Sequence, residues 1–345
     1  METMVWITEN PLNVISFGIA TYEFCKRMPN YRVIVLALGH EGVPLRPTQN
    51  FEILPLKSSE QLDYYMRKLS PEVTIVFHSY YFIKSIENIS LCGKKLVYVP
   101  VEGDPLPMEV VPTLQTYDQI ITPSEYSQRI LKKAGLDARV VPHGVDTEFY
   151  TPRQKTWTET KFGYLGANDI RKQIPRVMEA YAKLGKGILT IASEGKGHYN
   201  LAAEAKTLGV APIFIEKKFY GIPLTKDNVK EFYNGLDIYV SPATEAFGLP
   251  SLESAAMGVC NIALDHGASR EILGNGAIYV KTSDYLHTNI GKIGLIDIND
   301  LYHKMRFLMD VPDARERTAQ KGIERAKFWT CEKAIDALLE AVDNA

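Results

Sequence analysis

The chain has 345 residues, 46% of them hydrophobic, with 39 Lys plus Arg against 41 Asp plus Glu. That length and apolar share predict two packed domains, and the balanced charge excludes a nucleic-acid binder relying on bulk positive charge. The longest apolar runs, such as Val33–Leu38, are strand-sized and far short of the ~20 residues that span a bilayer.

In chain order, the first half predicts strands at Val5–Thr8, Arg32–Leu38, Glu52–Leu56, Val73–His78, Leu96–Val101, Gln119–Thr122 and Arg139–Val141. Helices are expected at Ile15–Met28, Ser59–Leu69 and Ser124–Ala134, the last opened by Ser124 as N-cap. The polar, proline-containing stretch 151–159 reads as a linker. The second half predicts strands at Lys161–Leu165, Ile188–Ala192, Pro212–Ile215, Asp237–Val240, Asn261–Leu264 and Ala277–Val280. Helices alternate with them at Lys172–Leu184, Asn200–Leu208, Val229–Asn234 and Pro250–Met257. Beyond Leu295 the pattern is helical, at Asn299–Met309, Ala314–Lys327 and Glu332–Val342. Short apolar runs alternating with helices are the signature of parallel α/β layers, so two doubly wound, Rossmann-like α/β domains are expected. Ligands in such folds bind at the C-terminal edges of the strands.

The stretch Thr244–Glu253 carries the clearest chemistry. Glu245 and Glu253 lie eight positions apart, across a Phe247-Gly248-Leu249-Pro250-Ser251 helix start that follows an apolar strand. A helix N-terminus offers unpaired N–H groups and a positive dipole end, which suits a phosphate. Pro250 costs nothing in the first turn, so donation falls to Gly248, Leu249 or Ser251. A second constellation, Gly166-Ala-Asn168-Asp-Ile-Arg171-Lys172, leads from a strand into a helix, where a glycine turn and two cations can approach phosphate oxygens.

These residues resemble the retaining GT-B glycosyltransferases of family 4, whose E-x7-E signature matches Glu245 through Glu253. Val141-Pro-His-Gly-Val-Asp-Thr-Glu-Phe149 is similar to the family's domain-junction motif, and Ile120–Glu125, Gly258–Asp265 and Gly267–Leu273 look like further family segments. The resemblance implies an acceptor-side domain over 1–150, a donor-side domain over 160–328, and a terminal helix, 329–345, returning to the first domain. It implies a cleft between the two domains and a sugar passed from a nucleoside diphosphate to an acceptor hydroxyl. Glu253 would then hold the ribose, and Glu245 would orient the donor sugar. Gly248, Leu249, Ser251 and Phe247 would line the diphosphate side with Gly166 and Asn168, and Gly18 would correspond to a glycine loop beside the phosphates. Lys172 matches the family's lysine. Asn168 or Ala167 stands where the family has arginine, Gln173 where it has a second glycine, and Glu102, in Val101-Glu-Gly-Asp104, where it commonly has histidine.

Charge growing on a diphosphate leaving group calls for a cation, a role that falls to Lys172 with Arg171. No D-x-D run is present, and no metal or other cofactor is expected. Glu102 is the first-domain catalytic candidate for contacting donor or acceptor hydroxyls, ahead of Asp104, the competing reading being a turn stabilised by Asp before proline. The seven histidines show no ligand spacing, and His143 is placed near the cleft by the junction motif. Lys217–Tyr220 falls where the family usually holds the base.

Basic clusters at Lys94–Lys95 and at Arg129, Lys132 and Lys133 read first as solvated faces, with peripheral membrane contact as the alternative. Four cysteines without C-x-x-C spacing, and no basic region before an N-terminal apolar stretch, point to a reducing cytoplasm. The competing functional readings are a sugar-nucleotide epimerase, a phosphorylase, and a non-catalytic sugar-nucleotide binder. Base, donor sugar, acceptor and oligomeric state are not encoded in these motifs.

Overall fold

The computed structural model of the protein describes residues 1–13, 16–216, 218–219 and 222–345, without the side chains of 218, 219, 222 and 223. The chain forms two units, Met1–Gly144 with Thr330–Ala345, and Val145–Trp329.

The first unit is built on eight strands: β1 (Thr3–Glu9), β2 (Arg32–Leu38), β3 (Leu45–Thr48), β4 (Phe51–Pro55), β5 (Val73–Phe77), β6 (Lys94–Tyr98), β7 (Gln119–Thr122) and β8 (Arg139–Val140). Their order is β3-β4-β2-β1-β5-β6-β7-β8, parallel throughout except for the edge pair β3–β4. A parallel sheet is covered on both faces, which is why Met4–Ile7 and Val33–Ala37 read as unbroken apolar runs and are buried. Without the edge strand β3, the first six parallel strands follow the 3-2-1-4-5-6 winding of a dinucleotide-binding fold, reversing direction between β1 and β5. Ser124 caps the helix Glu125–Lys133 as its sequence predicts, its hydroxyl accepting from the Ser127 N–H at 3.2 Å. The helix predicted from Ile15 spans Ser16–Cys25, and Ile15 itself lies outside the described residues.

The second unit continues with β9 (Lys161–Leu165), β10 (Ile188–Ser193), β11 (Ile213–Glu216), β12 (Lys218–Phe219), β13 (Ile222–Pro223), β14 (Ile238–Ser241), β15 (Cys260–Leu264), β16 (Ala277–Val280), β17 (Thr282–Thr288) and β18 (Gly291–Ile296). Six of these form a fully parallel sheet in the order β11-β10-β9-β14-β15-β16, again a 3-2-1-4-5-6 winding with its reversal between β9 and β14. Phe162, Ile191, Ile238, Val240 and Ile262 fill its core with Val177 and Met178 from the helix Ile174–Leu184.

The edge strand β3, the short pair β12–β13 and the helix Tyr80–Ser85 were not expected from the sequence, and two further departures lie in the second unit. Residues 282–296, assigned to no element above, form the antiparallel hairpin β17–β18; its alternation mixes Asp, His and Lys with Tyr, Leu and Ile, which masks the strand signal. The helix predicted from Lys172 is broken into a 3-10 turn, Ile170–Lys172, and the helix Ile174–Leu184, with Gln173 between them at φ +49°. Lys217 and Tyr220 lie outside the described residues, as do the side chains of Lys218 and Phe219. Among the described residues, no helix is long and apolar enough to cross a membrane.

Candidate active site

The reversal point of the second sheet gathers most of the residues singled out by sequence. The loop after β9 carries Gly166, Asn168, Arg171 and Lys172, and the loop after its neighbour β14 carries Glu245, Phe247 and Gly248. A 3-10 turn places adjacent residues about a third of a turn apart, so Arg171 and Lys172 converge only because other groups fix that turn. Asp169 caps it, accepting from the Arg171 N–H at 2.8 Å. Gln173 ends it in the left-handed region, which favours glycine and so accounts for the family's glycine there. Both cations then reach one carboxylate: Arg171 Nη1 donates to Glu245 Oε2 at 3.0 Å, and Lys172 Nζ to Glu245 Oε1. Arg171 Nη1 also donates to the Thr244 carbonyl at 2.9 Å.

Burial alone would push the Glu245 carboxyl up. Lys172 and Arg171 reverse that and hold it at about 2, below its ordinary 4.5. A depressed carboxyl contributes stability that is present above its unfolded value and lost as pH falls through its folded value. Wild-type protein is therefore expected to lose on the order of 3 kcal/mol from this group between about pH 4.5 and 2. Urea unfolding of Glu245→Gln at neutral pH and across that window should show lower stability and a shallower acid loss; parallel acid limbs would contradict this.

Gln173 also does what a glycine could not. Its Nε2 donates to the carbonyls of Pro242 (2.8 Å) and Gly294 (2.9 Å), and its Oε1 accepts from the Ile296 N–H at 2.9 Å. The β14 loop and the β17–β18 hairpin are thereby tied to the cationic turn. Thr244 adds to the tie, accepting at Oγ1 from the Gly294 N–H (3.0 Å) and pairing with His266 Nδ1 (3.1 Å). Gln173→Ala should lose these bonds and keep the backbone strain, whereas Gln173→Gly loses the bonds alone. The expected stability order is Gln, then Gly, then Ala, with Ala about 1 kcal/mol below Gly by thermal or urea unfolding. Equal loss in both variants would contradict the φ argument.

The helix Leu249–Ala256 starts at Gly248, whose φ of +91° suits glycine. The Ser251 N–H donates to the Gly248 carbonyl at 3.0 Å, so it closes the turn rather than pointing outward. Phe247 is buried edge-on against Trp329, 5.9 Å between centroids. Glu253 lies one turn into the helix, 2% exposed, and its Oε2 accepts from the Tyr233 hydroxyl at 2.9 Å. Sequence reading missed Tyr233, although a tyrosine on the apolar face of a predicted helix signals a hydroxyl in need of a buried partner.

Other positions have structural tasks. Gly166 lies where a Cβ would meet the Tyr164 hydroxyl at 2.3 Å, and its N–H donates to the Ala192 carbonyl. The Asn168 amide donates to the carbonyls of Glu194 and Tyr199 and accepts from the Tyr199 N–H, locking two loops together. The Glu245 carbonyl accepts from the Ala268 N–H, and Gly267 is required because a Cβ there would sit 2.7 Å from that same oxygen.

Gly18 and Glu102 belong to the first unit. Gly18 lies inside the helix Ser16–Cys25, not in a loop ahead of it, and a Cβ there would sit 2.4 Å from the Asn13 carbonyl oxygen, which is why the position takes glycine. The Glu102 carbonyl accepts from the Tyr126 hydroxyl at 2.8 Å, while Asp104 pairs with Lys133. His143 is packed in that unit's interior beside Phe24, Phe77 and Tyr98, with Nδ1 2.9 Å from the Tyr98 hydroxyl, and burial pushes it down to about 3. The basic clusters have local partners: Lys94 and Lys95 donate to the Val342 and Thr116 carbonyls, and Arg129 faces Glu125. Among the described residues, no three His, Cys, Asp or Glu side chains gather as a metal site would need.

The family model "Glycosyl transferases group 1" matches residues 148–325, just over half of the chain and nearly all of the second unit. The chain belongs to the glycosyl transferases group 1 family. No curated protein sequence matches it. Among solved structures, sucrose-phosphate synthase from Thermosynechococcus elongatus is similar over 100% of this chain and 99% of its own, at 13% identity and a TM-score of 0.83. Anabaena HepE in complex with UDP-glucose is similar over 100% of both chains, at 12% identity and a TM-score of 0.78. An Escherichia coli structure described as trehalose-6-phosphate bound with UDP-2-fluoro glucose covers 98% of both chains, at 11% identity and a TM-score of 0.68. These likenesses identify the fold as GT-B, and the protein is a glycosyltransferase. Its Arg171–Lys172–Glu245 cluster lies within the matched region, as do Gly248 and Glu253.

Proposed function

We propose that this glycosyltransferase is a retaining, metal-independent enzyme of family 4 that moves a sugar from a UDP- or GDP-sugar to the hydroxyl of a glycan, lipid or small molecule. The observation carrying this reading is the convergence of Arg171 and Lys172 on Glu245 at the sheet's reversal point. Two fixed cations there provide the charge that a departing diphosphate needs, without proton bookkeeping. The UDP-glucose in the HepE complex supports a nucleotide-sugar donor.

In this reading the donor diphosphate competes with Glu245 for Lys172 and Arg171, while the N–H groups of Gly248 and Leu249 meet its oxygens at the positive end of the helix. Glu245, released in part from its cations, turns to the donor sugar's hydroxyls. Glu253, oriented by Tyr233, accepts from the ribose hydroxyls. Glu102 is the first unit's candidate for contacting donor or acceptor hydroxyls. A cytoplasmic setting accords with four cysteines that show no C-x-x-C spacing.

The test is a thermal-shift screen of UDP- and GDP-sugars. At least one is expected to raise the melting temperature, because a ligand that binds only the folded state stabilises it by mass action. A screen in which no nucleotide sugar stabilises the protein would contradict the donor assignment.

A further inference from the structure

The first unit repeats the winding of the second, and its own reversal point carries a carboxylate that the reading above leaves unused. Glu9 ends β1, and His78 follows β5, the neighbour across the reversal. The pairing Ile7↔Val76, continued by two residues, sets these side chains opposite each other at the C-terminal edge of the sheet. His78 Nε2 and Glu9 Oε1 are 3.1 Å apart. The tautomer is fixed from the other side: the Ser79 N–H donates to His78 Nδ1 at 2.8 Å, so the proton sits on Nε2 and is donated to Glu9. The imidazole is held flat against Phe17 (5.0 Å, 8°) and beside Phe82 (4.4 Å). Gly39, at φ +68°, presents no side chain to Glu9 Oε2, and the pair keeps 15% (His78) and 26% (Glu9) side-chain exposure.

We propose that Glu9, positioned by His78, is the binding residue of a second ligand site, one that takes the hydroxyls of a neutral sugar or polyol. The inference rests on the glycosyltransferase reading, in which a hydroxyl-bearing acceptor has to be held. An imidazole N–H fixes one carboxylate oxygen, and the other accepts hydroxyl protons; hydrogen bonds to a charged acceptor are the stronger kind. An anionic ligand would meet the carboxylate's charge. Openings at the reversal points of doubly wound sheets are where ligands bind in this architecture.

The test measures binding of a fixed panel (D-glucose, D-mannose, D-galactose, myo-inositol and sucrose) by saturation-transfer NMR and calorimetry. At least one panel compound is expected to bind the wild type. Glu9→Ala should weaken it about tenfold or more, and Glu9→Gln, which preserves the side chain's shape, should also weaken it. His78→Ala should weaken binding several-fold, with recovery in His78→Gln, whose amide keeps an N–H donor for Glu9; a merely structural role would not follow that order. Thermal stabilisation by UDP- and GDP-sugars, whose assigned contacts lie in the second unit, should be the same in all four variants as in wild type. Failure of every panel compound to bind the wild type, or equal binding by wild type and Glu9→Ala, would overturn the proposal. Polyol binding and nucleotide-sugar stabilisation are read separately, so failure of this site and failure of the donor reading are seen apart.

Discussion

Lys172→Ala is expected to lower the rate of sugar transfer by about 10²- to 10³-fold, because a preorganised donor aimed at developing charge commonly contributes about 3 to 4 kcal/mol to the transition state. Donor affinity should fall far less, since Arg171 stays on the same turn and the helix start at Gly248 is untouched. The variant also changes the resting state: Glu245 loses one of its two cations and is left with Arg171. Steady-state kinetics separates the two effects, because an interaction made only in the transition state lowers kcat and kcat/KM together. A variant that raises KM at unchanged kcat would mean that Lys172 holds the donor equally in ground and transition states and adds nothing for the leaving group. Glu245→Ala should behave alike on the sugar side, losing transfer while retaining nucleotide binding.

Glu253→Ala is expected to weaken nucleotide-sugar binding by about ten- to a hundredfold, the loss of one or two hydrogen bonds to a charged acceptor. Burial makes this residue informative: at 2% exposure its carboxylate is held by the Tyr233 hydroxyl and does not swing in solvent. Tyr233→Phe should therefore show a smaller loss in the same direction, and the double variant should not exceed Glu253→Ala alone. Calorimetry on the free nucleoside diphosphate and on the nucleotide sugar places the effect, since a ribose contact weakens both equally. A Glu253→Ala protein that binds nucleoside diphosphate as tightly as wild type would move the ribose contact elsewhere.

The legible parts of this molecule are those where local and global signals agree. Continuous Val/Ile/Leu runs mark parallel strands because both faces of such sheets are buried, so the core strands of both sheets could be read directly. Glu245 and Glu253 were visible because a glycine–proline helix start stands between them, a pattern with a backbone reason. What could not be read depends on contacts far apart in the chain. Nothing local to Arg171 and Lys172 requires adjacent side chains to meet the same carboxylate more than seventy residues away. Gln173 looked like a departure from a glycine pattern, yet its three side-chain hydrogen bonds reach Pro242, Gly294 and Ile296. Asn168 occupies an arginine's place in the motif while its amide is committed to the loop 194–199. His143 sits in the junction motif, and the aromatic rings around it come from a helix and strands tens to more than a hundred residues upstream, which no local pattern shows. The hairpin β17–β18 was hidden by its mixed polarity.

The central claim is that the Arg171–Lys172–Glu245 cluster serves sugar transfer from a nucleotide donor. Its most direct test is product analysis, with the stabilising donor incubated with acceptors and followed by NMR of the new anomeric centre and by release of nucleoside diphosphate. The account predicts one glycosylated product per nucleoside diphosphate released, with the donor's anomeric configuration kept; an inverted product, or a donor that is epimerised and never transferred, would contradict it.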